Sequence, residues 1–455
     1  MKIAIAGAFG FIGQHLIQHL LEATDWDIVA LSRSSRASEE ERVQCVAVDL
    51  YSLSGASAAL AGCDAAIYLV HSMAPSSRMS QGSFRDFDFI LADNFGKAAV
   101  ANGIKQIVYV GGMIPGCAQL SLHLQSRLEV EDVLRAHSIP VTALRCGIVI
   151  GQNASSFSII VRLTERLPFM ILPQWMRTLS NPIYVTDLVR LIRAALQNPG
   201  RDHRIIDAGM DQLVSYKDIV LATAKLMGKS PKLIDVPYIS PHLSKLWVRL
   251  VSGAPKALVY PLIDSVRHEM LKDPKRPIPG TWGITPANLE EAIRKTFETP
   301  FEFRMPRLLS AIKELSEVRS IQRMPLPAKK SAVCVANRYF AWLPFFLRPF
   351  LKVVKTDGAC EYRLRALNVM LLRLTMDKEK STADHQVFRV TGGALVAAGN
   401  KGTFEFRASH DRRFVIAALH NFRPALPWSI YCFTQALVHW VVMDRFGKSL
   451  EREYD

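Results

Sequence analysis

The chain lacks most of the features that mark a secreted, metal-binding or membrane-spanning protein. Its seven cysteines (Cys45, Cys63, Cys117, Cys146, Cys334, Cys360 and Cys432) stand far apart, with no CxxC pair. That spacing offers neither a disulfide framework nor a zinc site, and it suits a reducing cytoplasm. Long apolar runs are missing too. Tyr339–Val354 is interrupted by Pro344, Arg348, Pro349 and Lys352, while Trp428–Met443 carries Gln435 and His439. Both fall short of the roughly 20 apolar residues a spanning helix needs. They read as core segments; the alternative is surface attachment, because interfacial segments use aromatics flanked by Lys and Arg. From Met1 the chain runs straight into a buried-strand pattern, without the basic, apolar and small-residue regions of a secretory signal. A cytoplasmic location is expected, with membrane association as the variant. A GxSxG elbow, a GxxxxGK[ST] loop and metal-ligand spacing are absent, and His420, His439 and Cys432 are scattered. No metal site is expected, and there is no internal repeat or low-complexity tract.

What is present points to several soluble domains. At 455 residues, 49% of them hydrophobic, the chain is long enough for two or three domains with sizeable cores. The net charge of +15 is concentrated at one end, since residues 301–455 hold 25 Lys and Arg against 14 Asp and Glu. A basic surface attracts anionic lipid, nucleic acid or phosphorylated ligands, or is simply a solvated face. Peripheral contact with an anionic membrane fits this charge. No nucleic-acid motif accompanies it, so no such partner is expected.

The first half alternates short apolar runs with helical segments. Strands are expected at Lys2–Ala6, Asp27–Ser32, Gln44–Asp49, Ala65–Val70, Gln106–Gly111 and Val141–Val149. Helices are expected near Gly13–Ala23, Ser54–Ala61, Arg85–Asn102 and Leu120–His137. The strands mostly lack polar alternation, as strands buried on two faces do. Right-handed crossovers would wind them into a parallel α/β sheet covered on both sides. Ser155–Glu165 and Val185–Gln197 read as later helices and Arg204–Asp207 as a late strand. The expected organisation is a doubly wound α/β domain over residues 1–300, with a smaller lobe made mainly of 152–183 and 210–300. A linker over 301–330 follows, its last part (Ser316–Ser331) mixing charge with Pro325 and Pro327. Residues 331–455 read as a basic α+β domain: strands at Gln386–Val396, Gly402–Ser409 and Arg413–Leu419, then an amphipathic helix from Pro427 to about Phe446.

The strongest motif is Gly7-Ala8-Phe9-Gly10-Phe11-Ile12-Gly13, directly after a strand and opening a helix. Gly7 permits a tight turn, Gly10 a close approach of backbone to a pyrophosphate, and Gly13 helix–strand packing. The free N–H groups of the helix start favour phosphate. Glycines serving only a turn are the alternative, and the full βα series that follows weighs against it. Gly7, Phe9, Gly10, Phe11, Ile12 and Gly13 are therefore read as cofactor contacts. The second strand ends in Ser32-Arg33-Ser34-Ser35-Arg36, where an NAD site would place an acidic residue. Ser32, Arg33 and Arg36 suit a 2′-phosphate, so NADP(H) is the preferred cofactor, with NAD(H) possible. Asp49 and Leu50 close the third strand, where they meet the adenine or, for Asp49, cap a helix. Val70 and His71 end the fourth strand, facing the nicotinamide region.

Together these residues resemble the atypical, extended form of the short-chain dehydrogenase/reductase superfamily over residues 1–300. The resemblance is carried by Asn94-Phe95-Gly96 with Ala98-Ala99, by Gly103-Ile104-Lys105-Gln106-Ile107-Val108-Tyr109, by Leu144-Arg145-Cys146-Gly147 and by Pro182-Ile183-Tyr184-Val185-Thr186-Asp187-Leu188. Tyr68-Leu69-Val70-His71-Ser72-Met73 and Leu122-His123-Leu124-Gln125-Ser126-Arg127 are most similar to the NmrA-like branch. That branch holds both oxidoreductases and cofactor-sensing proteins without catalysis. Standard members carry Tyr-xxx-Lys on one helix face and a Ser after the fifth strand. Here the pair corresponds to His123-xxx-Arg127, and the strand ends in Gly111-Gly112-Met113, without a hydroxyl. His123 is the candidate acid, Arg127 the ribose or phosphate contact, and His71 the second acid–base candidate. A helix-surface His and Arg with no chemistry is the alternative, and Asn94 is assigned a packing role.

These readings lead to an NADP(H)-dependent oxidoreductase acting on a small, apolar carbonyl or enone. The rival is a non-catalytic NADP(H) sensor or assembly protein.

Overall fold

Runs of Ile, Val and Ala without polar alternation need cover on both faces, and the computed structural model supplies it. Residues 1–72, 77–116, 119–236, 240–298, 317–356 and 358–452 are described. Seven strands form one parallel sheet: β1 (Lys2–Ala6), β2 (Asp27–Ser32), β3 (Val43–Ala47), β4 (Ala65–Tyr68), β5 (Ile107–Gly112), β6 (Val141–Cys146) and β7 (Arg204–Ala208). Their spatial order is β3-β2-β1-β4-β5-β6-β7. The order reverses between β1 and β4, which opens a crevice at the carboxyl ends of those strands. The helices are α1 (Phe11–Ala23), α2 (Leu53–Leu60), α3 (Phe84–Ala101), α4 (Leu122–Arg135), α5 (Ser155–Arg166) and α6 (Val185–Gln197).

Alternation along each strand divides the core between the two faces. Ile67 of β4 packs in a cluster with Leu16 and Leu20 of α1 and with Leu188 and Ile192 of α6. Its neighbour Tyr68 points the other way and meets Phe95 of α3, ring centroids 5.0 Å apart. The strand expected over 141–149 is shorter than the sequence suggests. It ends at Cys146, and Val149–Ile150 instead pairs with Ile183–Tyr184. The break falls at Gly147, where a Cβ would stand 2.9 Å from the Asn181 carbonyl oxygen.

The lobe beyond the sheet is built from α5, α7 (Tyr216–Leu226), α8 (Pro241–Ser252), α9 (Lys256–Ser265) and α10 (Leu289–Thr296). Phe157, Ile160, Ile219, Val248, Val259 and Ile293 form its core. Ser215 and Asp218 cap α7 reciprocally, satisfying two orphan donors at the helix start.

The chain divides into two compact units: Met1–Met73 with Asp88–Pro306, and Ala74–Phe87 with Arg307–Asp455. In the second, a sheet contains β8 (Val318–Pro325), β9 (Leu351–Thr356), β10 (Ala359–Leu364), β11 (Met370–Met376), β12 (His385–Gly392), β13 (Thr403–Ala408) and β14 (Phe414–Phe422). Its order is β9-β10-β11-β12-β13-β14-β8, and the short strand Met79–Gln81 adds a parallel edge beside β8. Helices α11 (Ala332–Phe346) and α13 (Gln435–Glu451) bury Val335, Tyr339, Val442 and Phe446 with Phe404 and Phe406 of β13. A short helix, α12 (Trp428–Phe433), precedes α13. Between Phe404 and Phe406 the chain turns Glu405 to the opposite face, where His385 Nε2 lies 2.7 Å and His420 Nε2 3.2 Å from its carboxylate.

Two features of the second unit differ from the sequence reading. Residues 318–325, expected within a linker, form β8 and pair antiparallel with β14. Its first four residues are all buried, so the period-2 pattern that would have revealed the strand is missing. The charge that resembles linker composition is paired: Arg323 Nε donates to Asp86 Oδ1 at 2.7 Å. Residues 301–316 of that stretch lie outside the described residues. The helix expected from Pro427 is split at Thr434 into α12 and α13. No described helix is long and apolar enough to cross a membrane.

Candidate functional site

The glycine turn has the form its residues require. Gly7 sits at φ +88°, a conformation that L side chains avoid, and its carbonyl accepts from Gly10 N at 2.9 Å. At Gly13 a Cβ would stand 2.4 Å from the Ala8 oxygen and 2.5 Å from the Gly7 oxygen, so only glycine lets α1 start there. Among the described residues no side chain caps this helix start, which leaves its N–H groups for an anion. Next to the turn, the Arg36 guanidinium lies 4.4 Å over the Phe9 ring. Arg33 and Arg36 are exposed, and Ser32 Oγ accepts from Ser34 N at 3.3 Å.

Asp49 and Leu50 lie in the loop after β3. Asp49 Oδ1 accepts from Tyr51 N at 3.1 Å, a turn-forming bond, and Leu50 is buried. Asn94 Nδ2 donates to the carbonyls of Leu50 and Tyr51, both at 2.9 Å, tying α3 to this loop. That is the structural role expected of Asn94.

From the turn a cavity of about 380 Å³ runs past the ends of β4, β5 and β6 into the lobe. Gly7, Gly10, Phe11, Ile12, Gly13, His71, His123 and Arg127 line its inner part; Ile159, Leu163, Trp175 and Ile263 line its far end. Phe9, Ser32, Arg33, Arg36, Asp49, Leu50 and Val70 are not among its lining residues. Val70 instead offers its carbonyl to Arg127.

The two acid–base candidates converge. The His71 and His123 rings are 5.1 Å apart, centroid to centroid. His71 Nδ1 lies 2.8 Å from Asp88 Oδ2, and Asp88 also accepts from Ser72 N at 2.7 Å and Ser126 Oγ at 3.0 Å. Burial pushes the Asp88 carboxyl up, but His71, Arg127 and these bonds outweigh it and hold Asp88 below its ordinary value. The sequence does not single out Asp88, since nothing there separates it from Asp86 or Asp93. Ser265 is the other residue that sequence reasoning misses. Its hydroxyl on α9 lies 3.0 Å from His123 Nδ1 and 2.9 Å from Ser121 Oγ, supplying the hydroxyl that the end of β5 lacks.

Two roles assigned from the sequence change. Burial, then the charges of His71 and Arg127, push His123 down to about 3. It is a neutral imidazole at neutral pH, a hydrogen-bonding group and not a charged acid. Arg127 is spent on the fold: Nη1 donates to the Val70 carbonyl at 3.1 Å and Nη2 to the Val110 carbonyl at 2.6 Å. It clamps the ends of β4 and β5 together while placing a positive charge beside the cavity.

The His123 value sets a pH dependence. Its folded pKa is below the unfolded value of 6.5, so the unfolded chain binds the proton first, and stability falls as pH drops from 6.5 towards 3. This site alone should lose about 2 kcal/mol between pH 6.5 and pH 5. Denaturant titrations at those two pH values should show the loss, and His123→Gln should flatten it. An unchanged slope in the variant would show that the imidazole titrates normally.

Residues 7–166 match the family described as NAD(P)H-binding. That match covers 160 of the 455 residues. An auxiliary protein, GraX, from Staphylococcus aureus is 28% identical over 113 residues, which are 24% of this chain and 36% of that protein. The match thus spans about a third of that relative's length. Among solved structures, the NADPH-dependent quinone oxidoreductase of Escherichia coli complexed with NADPH has a TM-score of 0.51 and 17% identity; the likeness covers 66% of this chain and 100% of that one. A nucleoside-diphosphate-sugar epimerase from Staphylococcus aureus has a TM-score of 0.51 at 16% identity, over 65% of this chain and 100% of its own. Triphenylmethane reductase from a Citrobacter species has a TM-score of 0.50 at 19% identity, over 66% and 100%. At these identities the likeness is one of fold. The glycine turn lies within the segment matched as NAD(P)H-binding, while the His71, Asp88, His123 and Ser265 cluster is read from this chain alone.

Proposed function

We propose that the protein is an NADP(H)-dependent oxidoreductase that reduces, or forms by oxidation, an uncharged apolar carbonyl or enone. One observation carries the reading: a single cavity joins the glycine turn, the paired histidines and an apolar lobe. Among the described residues, its far end, between α5 and α9, is lined by no carboxylate and no lysine, so a charged substrate would be poorly compensated there. The nicotinamide supplies or takes the hydride when bound. His71, oriented by the Asp88 carboxylate 2.8 Å from its Nδ1, exchanges the proton at the substrate oxygen. His123, held neutral and bonded to Ser265, polarises the same oxygen without changing charge. Arg36 and Arg33 favour the 2′-phosphate of NADP(H) over the bare ribose of NAD(H).

Fluorescence titration with NADPH and NADH tests the cofactor. Arg36→Ala combined with Arg33→Ala should weaken NADPH about tenfold and leave NADH within about twofold. Equal affinities for the two coenzymes would defeat the NADP(H) preference. NADPH oxidation with a panel of uncharged quinones and enones, and its loss in His71→Phe, tests the chemistry.

The second reading is a non-catalytic NADP(H) sensor. It is favoured by the absence of a Tyr-xxx-Lys pair and by an Arg127 committed to backbone carbonyls. Tight NADPH binding without turnover across the panel would decide for it.

A further inference from the structure

The second unit holds a cavity of its own, of about 160 Å³, beneath α11 and α13 and against the inner face of β9 to β14. Most of its wall is aliphatic or aromatic: Leu343, Leu372, Leu374, Val390 and Phe404 are typical. Five side chains with a polar tip also reach it: Tyr339 from α11, Tyr362 from β10, Tyr431 from α12, and Gln435 and His439 from α13. Tyr362 Oη, Gln435 Oε1 and His439 Nε2 are buried, and none has a hydrogen-bond partner among the described residues. Buried polar atoms are almost always paired, because leaving one bare forfeits its hydration with no return. One such atom is an ordinary defect. Three around one apolar cavity describe the polar end of something that fills it.

We propose that this cavity binds an uncharged, largely apolar molecule bearing a hydroxyl, carbonyl or amide group, which Tyr362, Gln435 and His439 hydrogen-bond. Its volume accommodates on the order of ten non-hydrogen atoms, taking about one water-sized group per 10–15 Å³. Charge selects against acids and phosphates. Burial pushes His439 down to about 4 and the Tyr362 phenol up, so both are neutral at neutral pH. Among the described residues no Lys, Arg, Asp or Glu lines the wall, so an ion entering it would be uncompensated. Tyr362 both donates and accepts, while the Gln435 oxygen accepts, which suits a hydroxyl ligand best. Entry is from the α13 side, where Val438 lines the cavity and is itself 53% exposed. The site is independent of the dinucleotide cavity and does not rest on the oxidoreductase reading.

The test uses the full chain and 2-naphthol, an uncharged fluorescent probe of the right size with one hydroxyl. The probe should bind with a shifted emission and raise the unfolding temperature. Naphthalene should compete at least about threefold more weakly for want of the hydroxyl, and 2-naphthoate should not compete. Tyr362→Phe deletes only the unpartnered hydroxyl, so the variant should fold as well as the parent and bind 2-naphthol about three- to tenfold more weakly. Val438→Trp, at an exposed position, should close the mouth and reduce binding more than about tenfold. Both substitutions lie in the second unit, so probe bound in the dinucleotide cavity would be unaffected by both. Binding that is absent, or unchanged in Val438→Trp, overturns the site. Binding lost in Val438→Trp but unchanged in Tyr362→Phe overturns the polar recognition and leaves a greasy cavity only.

Discussion

Gly13→Ala should reduce NADPH affinity by about a hundredfold or more while leaving the second unit folded. The added methyl would sit 2.4 Å from the Ala8 carbonyl oxygen and 2.5 Å from that of Gly7. Both are backbone atoms of the turn, so no side chain can swing aside; either α1 lifts away from β1 or the turn opens. Overpacking against a rigid neighbour costs about 1–3 kcal/mol. Hydrogen bonds to the phosphates break as the N–H groups move apart, which adds to that cost in binding, where each 1.4 kcal/mol is about tenfold. Gly62→Ala is the control. Gly62 also has a positive φ, +70°, but nothing lies within 4 Å of its would-be Cβ. It should cost about 1–2 kcal/mol of stability and leave affinity unchanged. Titration of both variants with NADPH separates steric closure of the turn from general destabilisation. Wild-type affinity in Gly13→Ala would show that the turn does not hold the cofactor.

Glu131→Gln should destabilise the N-terminal unit by about 3–5 kcal/mol, a severe loss for one substitution. Glu131 on α4 and Arg145 on β6 are both buried and joined twice, Nε to Oε2 and Nη2 to Oε1, each at 2.8 Å. Removing the charge of Glu131 strands a guanidinium in the core, and an unpaired buried charge costs far more than the pair contributes. The double variant Glu131→Met with Arg145→Met should therefore be more stable than Glu131→Gln alone, though it carries two changes. Denaturant unfolding followed by a probe of the first unit measures this. The same helix carries His123 and Arg127, so the single variant should also weaken NADPH binding. A loss under about 1 kcal/mol would mean that water reaches Arg145 and replaces its partner.

Elements in the first unit are legible in the sequence because each local signal agrees with its neighbours. The glycine triplet, the unalternating strands and the helix starts all point to one parallel sheet, and α6, Val185–Gln197, has the bounds its apolar pattern gives. In the second unit, β9 to β11 are not legible. Met370–Met376 runs Met-Leu-Leu-Arg-Leu-Thr-Met, without clean alternation, and both of its pairings contain register shifts. Bulges of this kind scramble the period on which a strand is recognised. His71, His123 and Arg127 stand out by their places in the pattern; Asp88 and Ser265 do not, since neither belongs to a motif.

Strand period, glycine geometry and helix starts are local properties of a chain, so the order of residues dictates the dinucleotide turn, the parallel sheet and the places of the two histidines. What those residues can do is decided only when the chain folds. Burial makes His123 a neutral imidazole, two backbone carbonyls take up Arg127, and an aspartate and a serine distant in sequence come to stand beside the histidines. Ionisation and hydrogen bonding depend on solvent access and on neighbours brought together by folding, and neither quantity is written in the order of the residues.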